Sequence, residues 1–384
     1  MRKEGLSGVL LAAGIFFLTP CVLADWGPVK RLTWNSGESS YPITATDSEM
    51  NIHTAWCEKT PGNAEIYYKR SSDGGATWSA AKRLTWNSGD SLFPAMAIDS
   101  YDTIHLAWED YSLPNSEILY RRSEDGGTTW SPVQRLTWTS GQSFNATMGI
   151  GSGHVIHLAW EEATPGNRDI YHKRSTNGGT TWGLAQRLTW TSGGSISPEM
   201  AVSSGQSIHL AWYDETPGDP EIYHRGSTDG GATWGLVQRI TWTSGWSGFP
   251  AIAMDSAADV HVSWCDDTPG DPEIYYTRST DGGTTWSPAQ RLTWAPGSSR
   301  NPALAAEADK TIHLLWNDSF PGNYEIYYKR SLDGGATWGP DQRLTWTPGD
   351  SRVPTMAVDL NGTIHITWHD DSPGNREIYY KNGK

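Results

Sequence analysis

Apolar residues in this chain fall in short runs of four to seven, rich in Ile, Val, Tyr, Trp and Thr and bounded by Gly, Pro, Asn or Asp. Runs of that length and chemistry, punctuated by turn formers, predict β-strands rather than helices. In one stretch Ile43 and Ala45 follow Pro42, then come Ile52-His53-Thr54-Ala55-Trp56 and Glu65-Ile66-Tyr67-Tyr68, with Thr60-Pro61-Gly62-Asn63 as the breaker between the last two. The stretch closes on Ser71-Ser72-Asp73-Gly74-Gly75-Ala76-Thr77-Trp78. Only the extreme N-terminus carries an apolar segment without this punctuation.

The pattern repeats. Arg-(Leu/Ile)-Thr-Trp occurs seven times, and its tryptophans, Trp34, Trp86, Trp138, Trp190, Trp242, Trp294 and Trp346, are each 52 residues apart. His53 and its counterparts His105, His157, His209, His261, His313 and His365 keep the same beat. A fixed period of this size signals one supersecondary unit copied and stacked. Four short antiparallel strands per unit predict an all-β, seven-bladed propeller. The Ser-x-Asp-Gly-Gly-x-Thr-Trp turn occurs only six times, led by Asp73, Asp125, Asn177, Asp229, Asp281 and Asp333. Trp26 precedes Trp34 by the same eight residues that separate Trp78 from Trp86. The N-terminal strand is therefore expected to complete the C-terminal blade, which closes the ring and removes two open sheet edges.

Composition adds the compartment. Residues 1–24 read as a secretory signal peptide, with Arg2 and Lys3 before an apolar core, Val9 to Leu18, that is too short to span a bilayer. The propeller is then assigned to residues 25–384, and the protein is expected to be secreted or extracytoplasmic, a monomer with no membrane insertion after cleavage. A lipoprotein reading through Cys21 fits poorly because Pro20 precedes it. Cys57 and Cys265 lie four repeats apart, on nearly opposite sides of such a ring, so both are expected to be free thiols. The formal net charge of −14 argues against nucleic acid and anionic membranes as partners.

The Ser-x-Asp-Gly-Gly-x-Thr-Trp turn resembles the Asp box, the bacterial neuraminidase repeat of the sialidase superfamily. The resemblance runs through the whole repeat region. It implies a propeller whose Asp boxes are structural and lie on the face away from the active site. It also implies, for a true sialidase, three arginines on the substrate carboxylate, a tyrosine nucleophile with a glutamate partner, an aspartate acid/base and a Phe/Tyr-Arg-Ile-Pro motif. This chain lacks that motif; its nearest echoes are Arg300 before Asn301-Pro302 and Arg352 before Val353-Pro354.

Candidate ligand contacts are sought on the opposite face. A tryptophan followed two residues later by a carboxylate suits sugars, because the ring stacks on C–H surfaces while the acid accepts hydroxyl protons. Seven such pairs occur: Trp56/Glu58, Trp108/Asp110, Trp160/Glu162, Trp212/Asp214, Trp264/Asp266, Trp316/Asp318 and Trp368/Asp370. The competing role for these acids is to tie blades together, through backbone N–H groups or the repeated arginines such as Arg31, Arg83 and Arg135. Trp246, the tryptophan outside the three periodic sets, and the repeat-breaking Arg300 and Arg352 complete the candidates. Blade two also departs from the repeat, with Tyr111-Ser112-Leu113-Pro114. The histidines, spread around the ring on second strands, are expected to hydrogen-bond within their own blades rather than bind metal, and no cofactor is expected.

The expected function is a non-catalytic binding module for glycans or an extracellular partner protein. Two alternatives stand beside it: a sialidase-like exo-glycosidase and a structural surface protein without a ligand.

Overall fold

A computed structural model describes residues 23–384 apart from positions 61, 165 and 321. All but two residues of the expected leader lie outside the described residues. The described chain forms seven four-stranded antiparallel sheets. Blade one runs from an inner strand, Glu38–Thr46, to a second, Ile52–Lys59, a third, Glu65–Ser71, and a two-residue outer strand, Lys82–Arg83. Inner strands of successive blades pack on one another around the axis. Among the described residues no helix is long and apolar enough to cross a membrane.

The ring closes as the phase of the repeat requires. Lys30–Arg31 is the outer strand of the blade whose other strands are Ser351–Val358, Ile364–Asp370 and Glu377–Gly383. Lys30 pairs with Tyr380 and Arg31 with Tyr379. Trp26 meets Tyr328 edge-on at 5.0 Å, the contact that Trp78 makes with Tyr380 at 5.1 Å, so it fills the seventh turn tryptophan's place. The first and last residues of this clasp also pair, with Asp25 N–H on the Lys384 carbonyl at 2.9 Å and Lys384 N–H on that of Asp25 at 3.0 Å.

Blades have no solvent-facing side, because each is covered by two neighbours. Second strands such as Ile104–Asp110 are therefore buried at every position. The Asp-Gly-Gly turns stitch the third and outer strands of six blades. Ser71 Oγ donates to Asp73 Oδ1 at 2.8 Å, and Asp73 accepts from Thr77 N–H at 2.8 Å and Thr77 Oγ1 at 2.5 Å. Those donors hold the Asp73 carboxyl down at about 2. Asn177 keeps the same contacts, accepting from Thr181 N–H at 2.9 Å and donating to Thr181 Oγ1 at 2.8 Å. Gly75 has a φ of 82°, and a Cβ there would lie 2.3 Å from the Tyr380 hydroxyl, so glycine is needed both for conformation and for the blade contact.

The histidine row is internal to the blades. In five blades the histidine Nδ1 meets a third-strand tyrosine hydroxyl, as His53 does Tyr68 at 2.7 Å. Blades three and four put histidine in place of that tyrosine, giving His157–His172 at 3.1 Å and His209–His224 at 2.9 Å. Burial pushes His157 and His209 down to about 4, and His172 and His224 down to about 3. A histidine depressed below its unfolded value of about 6.5 stabilises the fold above that pH, and the stability is lost as pH falls through 4 and 3. Replacing both with the tyrosine of the other blades, as His172→Tyr with His224→Tyr, is expected to raise the melting temperature at pH 4.5 by about 2 °C or more. At pH 8 calorimetry is expected to show little change.

Candidate functional site

The central opening is built by a bulge repeated seven times. Pairing of inner and second strands in blade one passes from Ser40–Cys57 to Ile43–Ala55, so Tyr41 and Pro42 oppose a single residue. Proline, having no N–H, leaves no unpaired donor in the extra position. Tyr41 takes a φ of 53°, and Phe93, Asn145, Ser197, Phe249, Asn301 and Val353 are left-handed at the same place in the other blades. For a β-branched residue such as Val353 that conformation is strained. These seven residues ring the mouth of a cavity of about 460 Å³ on the axis.

A second ring lies behind the first. The residue between each second-strand tryptophan and its acid turns toward the bulge of the next blade. Asn145 N–H donates to Glu109 Oε1 at 2.6 Å, Ser197 N–H to Glu161 Oε2 at 3.3 Å, and Val353 N–H to Asn317 Oδ1 at 3.3 Å. The seven occupants are Cys57, Glu109, Glu161, Tyr213, Cys265, Asn317 and His369, among the least repetitive positions of the whole repeat. Burial raises the Cys57 and Cys265 thiols to about 11 and about 12, which makes them poor nucleophiles.

Chemistry differs from one side of the mouth to the other. On blades two to four, Glu109 is 1% exposed, and burial raises its carboxyl to about 7. Tyr111 O–H donates to it at 3.1 Å. Glu161, also raised by burial, accepts from Asn145 Nδ2 at 3.1 Å and pairs with Arg168 at 2.8 Å. Arg168 in turn lies 5.5 Å from the Phe144 ring. Glu199 is exposed in the opening itself, within hydrogen-bonding reach of Thr147. On blades six and seven, Arg352 bonds Asp350 at 2.6 Å and sits 4.0 Å over the Tyr324 ring. Arg300 is half-buried near the Cys265 thiol.

Aromatic rings complete the rim of the mouth. Trp246 and Phe249 are 5.3 Å apart, and Tyr213 lies 6.1 Å from Trp246. The Trp246 ring covers Gly248, where a Cβ would fall 2.1 Å from it. Across the opening Tyr41 and Phe93 are 4.4 Å apart.

The seven expected tryptophan–acid pairs are not here. Trp56, Trp108, Trp160, Trp212, Trp264, Trp316 and Trp368 are at most 1% exposed and have no free face for a sugar. Their acids are interior latches. Glu162 accepts from Trp160 Nε1 at 3.1 Å and Ser143 Oγ at 2.8 Å, and Glu58 and Asp110 accept from Trp56 and Trp108 in the same way. Asp214, Asp266, Asp318 and Asp370 each accept from an inner-strand serine at 2.6–2.8 Å and from a backbone N–H two residues on. The repeated arginines do not bind these acids either. Arg31 pairs with Glu377 at 2.7 Å, and Arg83 with Glu65 at 2.7 Å, on third strands. Trp246 packs on Phe249 of the mouth, and Arg300 and Arg352 each precede a bulge residue, Asn301 and Val353, but none of the three is among the residues that line the cavity. Glu109, Glu161, Tyr213 and Phe249 were missed, although superposing the seven repeats exposes them as positions where the residue changes.

Comparison with known proteins follows the same lines. No protein-family profile matches the chain. A xyloglucanase of Hypocrea jecorina is 26% identical over 271 residues, which is 59% of this chain and 29% of that enzyme, so the chain spans under a third of its length. Among solved structures, an ulvan lyase of polysaccharide lyase family 25 superposes with a TM-score of 0.67 at 11% identity, covering 90% of this chain and 93% of that one. An α-L-arabinofuranosidase from Fusarium graminearum gives 0.56 at 14%, covering 76% and 92%. A Hadza microbial sialidase gives 0.55 at 15%, covering 77% and 66%. The chain is a seven-bladed β-propeller with structural neighbours among sialidases and other glycoside hydrolases.

Proposed function

We propose that the protein is a secreted Asp-box propeller that binds a glycan at the central mouth without transforming it. The observation that carries this reading is where the repeat breaks. Latches, turns and histidines recur from blade to blade, whereas the two rings at the mouth change residue type almost every time. What they change to includes the chemistry of sugar recognition: aromatic faces in Tyr41, Phe93 and Phe249, with the carboxyl groups of Glu109 and Glu161 behind them and Trp246 packed on Phe249. The xyloglucanase relative and the glycan-active neighbours support a carbohydrate as the ligand class. Phe249→Ala and Trp246→Ala are each expected to weaken binding of an oligosaccharide hit from a glycan array about 10-fold, read by calorimetry. An array without hits overturns the reading.

A hydrolytic role is the second reading. Glu109, raised by burial to about 7 and adjacent through Asn145 to the arginine-paired Glu161, offers a general acid beside a second carboxyl group. Reducing sugar released from a polysaccharide by the native protein, and abolished in Glu109→Gln, replaces binding with hydrolysis.

A further inference from the structure

The tryptophans of the Arg-(Leu/Ile)-Thr-Trp motif are the opposite of the buried set. Trp34 is 69% exposed, and its six counterparts are between 63% and 70% exposed. Each follows an outer strand at the start of a link between blades, on the outer side of the ring. An indole so open leaves most of one face in water, a cost of apolar exposure met once per blade and never relieved by a neighbour.

Each indole is also held still. Its own motif arginine lies 5.6–5.8 Å from the ring in all seven blades. That guanidinium is fixed in turn: Arg31 Nε donates to the Thr33 carbonyl at 2.7 Å and Nη2 to Glu377 at 2.7 Å. In five blades a third-strand Lys or Arg of the following blade, such as Lys69 at 5.6 Å from Trp34, joins it. Beside Trp34 this leaves a groove of about 380 Å³, lined by Lys30, Arg31, Lys69, Thr77 and Trp78. A fixed ring beside hydrogen-bonding groups loses little entropy on binding.

We infer that these seven tryptophans form a rim of equivalent, individually weak subsites for a neutral polysaccharide. The site is separate from the central mouth and does not rest on the reading given for it. Charge selects the occupant. The motif arginines are neutralised by third-strand acids at 2.5–2.8 Å, Lys30 and Lys69 in the groove donate to backbone carbonyls, and the chain carries a net charge of −14, so a neutral polymer is favoured over an anionic polymer or an anionic membrane. The indoles are single rings set one per blade among Thr, Asn, Ser and Gly, not the continuous apolar patch that a stable protein interface needs. A long chain of sugars, each presenting a C–H face, meets several rings at once, and linked weak contacts multiply.

Affinity gel electrophoresis of the intact protein tests this, with xyloglucan, mannan, arabinan and starch as neutral probes and dextran sulfate and phosphatidylserine vesicles as anionic ones. Retardation by at least one neutral polysaccharide is expected. It is expected to fall at least ~10-fold in apparent affinity when Trp34, Trp138, Trp242 and Trp346 are changed together to Ala. Calorimetric binding of an oligosaccharide at the mouth is expected to be unchanged in the four-site variant, which separates the rim from the mouth. Circular dichroism and the melting temperature of the four-site variant confirm that it is folded; Trp→Tyr at the same sites, which keeps a ring, is expected to restore binding in part. No retardation by any neutral probe, equal retardation of the folded four-site variant, or tryptophan-dependent binding of the anionic probes alone overturns the inference.

Discussion

Trp160→Ala is expected to lower the free energy of unfolding by about 3–5 kcal/mol, while Trp138→Ala, one motif earlier, lowers it by no more than about 1 kcal/mol. Trp160 is 1% exposed and packs with Ala107, Ile118, Tyr120, Leu136 and Leu158 from two adjacent blades. Its ring lies 5.8 Å from that of Tyr171. Truncation opens a cavity that the neighbouring strands cannot close without moving a whole blade. It also removes the Nε1 donor from the buried Glu162 carboxylate. Trp138 is 65% exposed, and its loss costs only the contacts with Arg135 at 5.6 Å and Lys173 at 5.5 Å. Urea unfolding of the two variants checks the contrast. Equal midpoints would show that the inward and outward tryptophan rows have been wrongly assigned.

The second large effect belongs to the clasp. Deleting residues 25–33 is expected to remove at least ~5 kcal/mol of stability and to produce soluble aggregates, seen by size-exclusion chromatography. The deletion takes Leu32 N–H from the Ile378 carbonyl at 2.7 Å and Thr33 Oγ1 from Ile378 N–H at 2.8 Å. Glu377, whose side chain is fully buried, loses Arg31, and a buried carboxylate without its partner is strongly destabilising. The third strand of the last blade becomes an open edge with its hydrogen-bonding groups unmet. A deletion variant that stays monomeric with an unchanged melting temperature would mean that packing of the inner and second strands holds the ring without the outer strand.

The architecture was legible because a propeller repeats itself: blade count, strand order and closure all follow from one interval and the position of Trp26. The site was less so, for a physical reason. In a sheet with one wet face, alternation of polar and apolar residues tells inside from outside. A propeller blade is covered on both faces, so its second strand is buried throughout, and Trp56 and Glu58 look no different from a surface pair until the neighbouring blade is in place. Trp34 shows the converse. It recurs in every repeat, yet its indole is exposed to solvent while Leu32, two residues before it and 1% exposed, fills the core. The mouth depends on a left-handed bulge residue such as Tyr41 or Phe249, which no residue type among the seven announces. Its partner ring of Cys57, Glu109, Glu161, Tyr213, Cys265, Asn317 and His369 was readable only as the column where the repeats disagree.

Pairing of Asp25 with Lys384 means that a designed chain joining these two residues need not keep the present order of blades. Four residues of an Asp-Gly-Gly type turn inserted between these two would give an uninterrupted circle, and that circle could be opened at any of the six remaining turns. Each circular permutant would start in a different blade and still place every strand where it lies now. The fold is in that sense a loop with a movable cut, and a permutant cut at one of these turns offers a route to label or tether it while leaving the opening untouched.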